Sequence, residues 1–181
     1  PLLNARYGIK CAATGSVQLT SPLANKGLLV DMVCDSTSLS GTAIGTLSLH
    51  SSWNDADKKF DLEMKNSLDG TSNIDITADY SPKNRQLNAV ADLYKFRLDY
   101  ASPLLETIFS ETSGEMSGKI HVNGPLDRLN IRSEDTRLEN TRLKVAYTNV
   151  NYYPSGNFHI GQDGLYFDKM TIRDDYSGNG E

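Results

Sequence analysis

Alternation of apolar and polar residues is the feature that most constrains what this chain can fold into. Short runs place apolar side chains at every second position, for example around Phe60, Ile74 and Leu87, and Gly, Pro, Asn, Asp or Ser residues stand at nearly every break. Strict alternation predicts strands with one buried face, and turn residues between them predict hairpins. We therefore expect about a dozen antiparallel strands and an essentially all-β fold.

Two segments depart from this pattern. After Leu93 the apolar residues move to the other parity and continue at Tyr94 and Phe96, which predicts a β-bulge or a crossing to another surface. The following stretch "SPLLETIFSE" predicts one short helix, with Ser102 at the N-cap and Pro103 in the first turn. Its apolar stripe is expected to lie over strand surface; the stripe consists of Leu104, Leu105, Ile108 and Phe109.

The length of 181 residues fits a single domain. The strand spacing permits a sandwich, a barrel or an open curved sheet, while direct hairpin links disfavour a parallel β-helix. The chain begins at Pro1 and ends soon after a strand-like run, so we expect it to be a piece excised from a longer protein. Its start has no signal-peptide pattern, and no apolar run reaches the roughly 18 residues that span a bilayer.

Composition narrows the classes of partner. Hydrophobic residues make up 38% and aromatic residues 8% of the chain, the net charge is -5 and the pI is about 5.2. Lys and Arg are scattered along the sequence and form no basic stripe. This distribution argues against nucleic acid and against an anionic membrane surface as partners.

The apolar parity is almost free of charge, and it defines the candidate binding surface. Asp61 and Glu63 alternate with the apolar residues around Leu62, and Asp75 separates two isoleucines, so these carboxylates are expected on the opposite face. The residues predicted to line one common apolar surface are Leu47, Leu49, Phe60, Leu62, Met64, Ile74, Ile76, Leu87, Ile120, Val122, Val145, Phe158, Ile160, Leu165 and Phe167.

No catalytic or metal-binding pattern accompanies this surface. His50, His121 and His159 lie on different predicted strands at polar positions, so each is expected to face solvent and not to converge in a pocket. The acidic ending "RDDYSGNG" lacks calcium-loop spacing. The glycines of "GEMSGKIHVNG" precede no helix, and we interpret them as tight bends between strands and not as a phosphate loop. We therefore expect no enzyme activity, no cofactor and no metal.

The two cysteines, Cys11 and Cys34, share the parity of their apolar neighbours, which predicts burial of both on the apolar side. A disulfide and two buried free thiols fit this pattern equally well. A bridge would stabilise the fold by about 3 kcal/mol in the loop-entropy model.

The C-terminal part carries a resemblance to a known family. The segment "SGEMSGKIHVNGPLDRLNI" and the later phrase "VNYYPSGNFHIGQDGLYFDKMTIRDDYSGNG" resemble the C-terminal region of the TamB family of AsmA-like proteins. The first motif is filled by Met116, Gly118, Ile120, Val122 and Gly124, and the second by Val150, Tyr153, Gly164, Leu165, Phe167, Asp168, Ile172, Asp174, Gly178 and Asn179. Pro125 directly follows Gly124, and "DDYSGN" has one extra residue before its glycine; both are departures from the family pattern.

The resemblance covers residues 101–181. Residues 1–100 share only the general alternating strand pattern with the family. It implies a curved antiparallel sheet that forms a U-shaped half-pipe, or β-taco, with a hydrophobic groove and one short α-helix. We accordingly divide a single domain, 1–181, into a strand-rich groove part, 1–100, and a helix with TamB-like C-terminal strands, 101–181.

The resemblance also implies a function and a location. Such proteins are anchored in the inner membrane of Gram-negative bacteria and bridge the periplasm to an Omp85-class outer-membrane partner. They belong to a translocation and assembly module for outer-membrane proteins and move phospholipid between the membranes. We expect a non-catalytic groove for phospholipid or nascent outer-membrane strands, and terminal strands that could pair two copies of the fragment edge to edge.

Two other classes of protein remain alternatives at this point. One is a closed β-sandwich that acts as a binding or adhesion module of the cell envelope, with a dry and filled core. The other is a carbohydrate-active β-enzyme, which would need paired carboxylates in a cleft. The alternation directs Asp61, Glu63 and Asp75 away from the apolar side, which disfavours the enzyme.

Overall fold

A computed structural model describes residues 10–19, 28–39 and 42–176. These residues form one ten-stranded antiparallel sheet in which each strand pairs with its neighbours in sequence. The strands are β1 (Lys10–Leu19), β2 (Leu28–Leu39), β3 (Thr42–Asn54), β4 (Lys59–Leu68), β5 (Thr71–Ser81), β6 (Gln86–Arg97), β7 (Phe109–Pro125), β8 (Asn130–Val145), β9 (Asn151–Ile160) and β10 (Leu165–Asp174). The all-β antiparallel prediction is confirmed.

The sheet is open, because β1 and β10 stand at opposite ends of the strand order and do not pair. All ten strands of the described residues belong to this one sheet. The closed barrel and the two-sheet sandwich, both compatible with the strand spacing, are therefore not the fold of this part of the chain.

The described residues form fewer strands than their alternation suggests, because bulges interrupt the alternation without ending a strand. The separate apolar runs around Ile131 and Leu143 belong to one long strand, β8. Within β8, Asp135 and Asn140 have positive φ angles of 50°, and the β7–β8 register shifts opposite both of them. Each bulge moves the following side chains to the other parity, so a single strand resembles two in the sequence.

The predicted bulge after Leu93 is confirmed. The register between β6 and β7 shifts between Leu93 and Phe96, and Lys95 has a φ of 47°. The strand continues past the bulge to Arg97 and then enters a single 3-10 turn, Leu98–Ala101.

The predicted helix is wrong in length and in its cap. Helix α1 (Ser102–Leu105) has four residues, and Ala101 occupies the N-cap position. The backbone N–H of Ile108 donates to the carbonyl of Leu105 at 2.9 Å, which closes a turn, and Phe109 already begins β7. Ile108 is 58% exposed, so the helical stripe is not formed.

The glycines of "GEMSGKIHVNG" do not make bends, contrary to the prediction. Gly114 and Gly118 lie inside β7, where β8 approaches closely. A Cβ atom placed on Gly118 would lie 2.6 Å from the Cα of Thr136, and the φ of Gly118 is 135°. These glycines allow β7 to pair with the bulged strand β8.

The two cysteines differ in burial. Cys34 is 3% exposed, as predicted, whereas Cys11 is exposed and both thiols are free. The prediction for Cys11 is wrong because β1 is an edge strand, and its residues from Lys10 to Gln18 are all exposed.

The packed core lies in the C-terminal half of the sheet. Leu98, Leu138 and Phe158 form its buried cluster; the partly buried residues packed against them are Met116, Leu143, Ile160 and Met170. Leu98 precedes α1, so the segment between β6 and β7 supplies part of this core.

Tyr100 connects the segment between β6 and β7 to the N-terminal half of the sheet. Its side chain is 6% exposed, and its hydroxyl donates to the carbonyl of Ala43 at the start of β3, at 3.1 Å. Its ring also meets Phe96 edge to face, with the ring centroids 5.7 Å apart.

We expect Tyr100→Phe to lower the free energy of unfolding by about 1 kcal/mol, because it removes one buried hydrogen bond and leaves the packing of the ring unchanged. Urea unfolding followed by circular dichroism measures this change. Tyr94→Phe is the matched control, since Tyr94 is 54% exposed and should change stability by less than about 0.5 kcal/mol. Equal stability of the two variants would contradict a stabilising role of the Tyr100 hydroxyl.

Candidate functional site

Strand register gathers the predicted apolar residues of the N-terminal half on one face. Leu49 pairs with Met64, Met64 with Ile76, and the row continues through β6 to Ile120 on β7. Directly paired residues of antiparallel strands project from the same face of a sheet. The complete row is Met32, Leu49, Met64, Ile76, Ala91 and Ile120.

The neighbouring rows, two or four residues away along each strand, project from the same face. They contain the other predicted residues of this half: Leu47, Phe60, Leu62, Ile74, Leu87 and Val122. We call the side of the sheet formed by these rows the apolar face. Asn66 pairs with Leu47 and Ile74 in it, and it is a polar exception that the alternation did not indicate.

The apolar face contains an N-terminal cavity of about 490 Å³. Its lining residues are Val30, Leu49, Ser51, Phe60, Leu62, Tyr80, Leu87 and Leu126. Four of these were predicted from the alternation: Leu49, Phe60, Leu62 and Leu87. The hydroxyl of Ser51 accepts a hydrogen bond from the backbone N–H of Val30 at 2.8 Å, so this polar group is satisfied within the wall.

A C-terminal cavity of about 560 Å³ is lined entirely by aliphatic, aromatic and thioether side chains. Its lining residues are Leu98, Leu105, Phe109, Met116, Leu138, Leu143, Val145, Tyr152, Pro154, Phe158, Leu165, Phe167, Met170 and Ile172. Met116 and Ile120 lie at even spacing on β7, so this cavity opens on the same apolar face.

The structure brings most, not all, of the predicted C-terminal residues into this cavity. Val145, Phe158, Leu165 and Phe167 line it, whereas Ile160 is not among the lining residues and packs against the buried cluster. The alternation missed Leu138 and Met170 because each follows a bulge that reverses parity.

Charged side chains occupy the opposite, polar face. Lys65 pairs with Asp75 at 3.6 Å and Lys119 with Asp92 at 3.2 Å. Lys59 pairs with Asp79 at 2.7 Å, and Asp79 also accepts from the side chain of Asn88 at 3.2 Å. Cross-strand pairs of opposite charge stabilise a sheet modestly, and here they keep the charges away from the apolar face.

Hydrogen bonds and ion pairs with neighbouring side chains shift the pKa values of several exposed groups. The hydrogen bond from Lys59 is the main cause that lowers the pKa of Asp79, and the same bond raises the pKa of Lys59. At the other end of the sheet, Lys144 lowers the pKa of Glu111, with a smaller effect from Arg142. A hydrogen bond from Asn151 similarly lowers the pKa of Asp175.

We expect stability to fall in acid. A carboxyl group whose pKa is lowered by folding stabilises the native state above its unfolded pKa of about 4, and this contribution is lost as the pH falls through the folded pKa. The urea midpoint should therefore be lower at about pH 2.5 than at about pH 6. Asp79→Asn should reduce this pH dependence, and an unchanged pH dependence in the variant would contradict the role of Asp79.

The histidines lie apart on the polar side of the sheet. His50 is exposed, while His121 and His159 are half-buried and each has an acidic neighbour. The Nε2 atom of His121 is 3.3 Å from Glu134, and the Nδ1 atom of His159 is 2.8 Å from Asp168. All three were predicted to face solvent; His50 is exposed, and His121 and His159 are partly exposed on the same polar side. Within the described residues, no group of three His, Cys, Asp or Glu residues is placed to hold a metal ion.

No helix in the described part of the chain has the length and apolar character needed to cross a membrane. No family model, curated protein or solved structure matches the chain. The resemblance to TamB therefore stays a prediction from the motif residues. Of these, Met116, Gly118 and Ile120 lie on β7; Gly178 and Asn179 lie outside the described residues.

Proposed function

We propose that this protein is a non-catalytic segment of the bacterial envelope whose apolar face binds lipid acyl chains or nascent outer-membrane strands. The C-terminal cavity supports this proposal most strongly, because aliphatic, aromatic and thioether side chains make up its whole lining. Ligand cavities are usually apolar with a few polar groups that fix orientation. A lining that presents only apolar surface to the cavity favours a ligand that needs no head-group recognition.

The half-pipe shape is part of the proposal. In a flat sheet, three strand spacings of about 4.8 Å would separate β3 from β6. Tyr100 follows β6, yet its hydroxyl reaches the carbonyl of Ala43 on β3. This contact is what we expect if the sheet curves around the segment between β6 and β7, with the apolar face on the concave side.

Exposure of the apolar residues on β10 supports binding as well. Phe167 is 57% exposed, Ile172 52% and Leu165 51%, although all three line the C-terminal cavity. Contiguous exposed apolar surface often marks an interaction site. Each CH₂ group of an acyl chain buried there would contribute about 0.8 kcal/mol, so a long chain could bind by apolar contact alone.

The cellular setting follows from the resemblance to TamB. We propose that the segment belongs to a longer, inner-membrane-anchored protein in the periplasm of a Gram-negative bacterium. There it would act in a translocation and assembly module with an Omp85-class partner, in phospholipid transport, outer-membrane protein assembly or both. The free edges of β1 and β10 could also pair two copies of the isolated fragment.

Native mass spectrometry of gently purified protein tests lipid binding. We expect protein ions that carry phospholipid, and we expect longer acyl chains to be retained better, with about a fourfold gain in affinity for each buried CH₂ group. Ions without lipid after incubation with phospholipid vesicles would contradict the lipid proposal. The same spectra report whether the fragment forms dimers.

A further inference from the structure

Cys11 on the edge strand β1 and Cys34 on the neighbouring strand β2 lie diagonally across the first strand pair of the sheet. Ala13 pairs with Cys34, and Cys11 is at even spacing from Ala13, so both cysteine side chains project to the same side. A register shift between Lys10 and Ala12 adjusts the pairing at this point. Cys11 is thus a diagonal neighbour of Cys34 on the same side of the strand pair, and its proximity contributes to the raised pKa of the Cys34 thiol.

The two thiols have different surroundings. Cys34 is 3% exposed, whereas Cys11 is exposed to solvent. Burial, followed by the contact with Cys11, raises the pKa of Cys34 to about 11. Cys34 is therefore protonated near neutral pH and shielded from reagents, and Cys11 is the thiol that a dissolved oxidant can reach.

We propose that Cys11 and Cys34 form a reversible cross-strand disulfide that fastens the edge strand β1 to β2. The oxidant is a dissolved disulfide of the glutathione class. The Cys11 thiolate attacks one of its sulfur atoms, which forms a mixed disulfide and releases one thiol. Cys34 then loses its proton, which the departing thiolate takes up, and the Cys34 sulfur attacks the Sγ atom of Cys11. The Cys11–Cys34 bond forms, the second thiol leaves, and two electrons have passed from the protein to the oxidant.

A Cys11–Cys34 disulfide would limit the separation of β1 from the sheet, because β1 is an edge strand. An edge strand with exposed side chains can separate from its neighbour or be exchanged for another strand. Closing the loop between Cys11 and Cys34 removes conformational freedom from the opened state. We expect this to slow hydrogen exchange of the β1 amides on the order of 100-fold. This inference concerns the sheet edge and does not depend on the proposed cargo.

Reduced protein treated with glutathione disulfide tests the proposal. We expect an intact mass lower by two hydrogen atoms, a proteolytic product that joins the peptides of Cys11 and Cys34, and reversal by dithiothreitol. Cys34→Ser should instead accumulate a glutathione adduct at Cys11. Cys11→Ser, which changes an exposed side chain, should acquire no adduct at Cys34 while folded.

A wild-type protein that keeps a stable adduct at Cys11 with Cys34 alkylatable would overturn the proposal, because the second exchange step would not occur. Hydrogen exchange of the β1 amides in the bridged and reduced forms gives an independent readout. Equal exchange rates in the two forms would overturn the fastening role of the bond.

Discussion

Phe167→Asp is expected to weaken binding of a fluorescent fatty acid or phospholipid analogue by at least about 10-fold. Phe167 lines the C-terminal cavity, and a carboxylate there would have to lose water against an acyl chain without gaining a partner. The aromatic ring would also no longer contact the chain. Because Phe167 is 57% exposed, the substitution should leave the fold intact. Fluorescence titration measures the loss of affinity, and circular dichroism checks the fold.

Tyr166→Asp is the matched control for this substitution. Tyr166 precedes Phe167 on β10, is 45% exposed, and projects to the polar side, where its ring stacks on His159 with the centroids 4.9 Å apart. Tyr166→Asp introduces the same negative charge on the polar face. The affinity of this variant for the lipid analogue should therefore remain within about twofold of that of the wild type. An equal loss of affinity in the two variants would show that a negative charge anywhere on β10 weakens binding. That result would contradict the role of Phe167 in the cavity wall.

Gly118→Ala is expected to destabilise the protein by about 3 kcal/mol or more. The added Cβ would lie 2.6 Å from the Cα of Thr136 and 2.8 Å from the carbonyl oxygen of Asp135. These are backbone atoms of β8 that cannot rotate away, so relief requires separation of β7 from β8. The positive φ of 135° adds conformational strain of about 1–3 kcal/mol. Thermal unfolding should show a decrease of about 10 °C.

Gly70→Ala separates the two causes. Gly70 also has a positive φ, 78°, but a Cβ there would meet no atom within 4 Å. Its replacement should therefore cost only about 1 kcal/mol, from backbone strain alone. If Gly118→Ala were no more harmful than Gly70→Ala, the close approach of β7 and β8 at Gly118 would be wrong.

Regular alternation made the N-terminal half of the site predictable. Between β3 and the Leu93 bulge the strands pair with almost unbroken register, so parity in the sequence corresponds directly to a face of the sheet. Leu49, Met64 and Ile76 could therefore be assigned to one surface before any coordinates. The charges between them, such as Glu63 and Asp75, were assigned to the other face for the same reason.

The C-terminal half was less predictable because its strands are bulged. Asp135 and Asn140 reverse parity within β8, and nothing in the alternation distinguishes such a bulge from the end of a strand. The C-terminal cavity also takes Leu98 and Leu105 from the segment between β6 and β7. That contribution depends on tertiary packing, which local periodicity does not report.

The edge position of β1 and the length of helix α1 could also not be predicted from the sequence. Cys11 has the parity of a buried residue, but among the described strands β1 is at the end of the sheet and pairs only with β2, and Cys11 is exposed. The stretch "SPLLETIFSE" has a helical pattern, but Phe109 pairs with Val145 in the β7–β8 ladder and ends the helix early. In both places the arrangement of strands in the sheet decides the result, namely the exposure of Cys11 and the early end of the helix. Local sequence does not report that arrangement.

Photo-crosslinking in living cells tests most directly whether the apolar face holds cargo. A photoreactive amino acid would be placed at Ile76 or Phe167 on the apolar face, and at Thr77 or Tyr166 next to them on the polar face. We predict that Ile76 and Phe167 capture lipid or outer-membrane protein, and that Thr77 and Tyr166 do not. Capture from neither apolar position, or equal capture from both faces, would contradict the account.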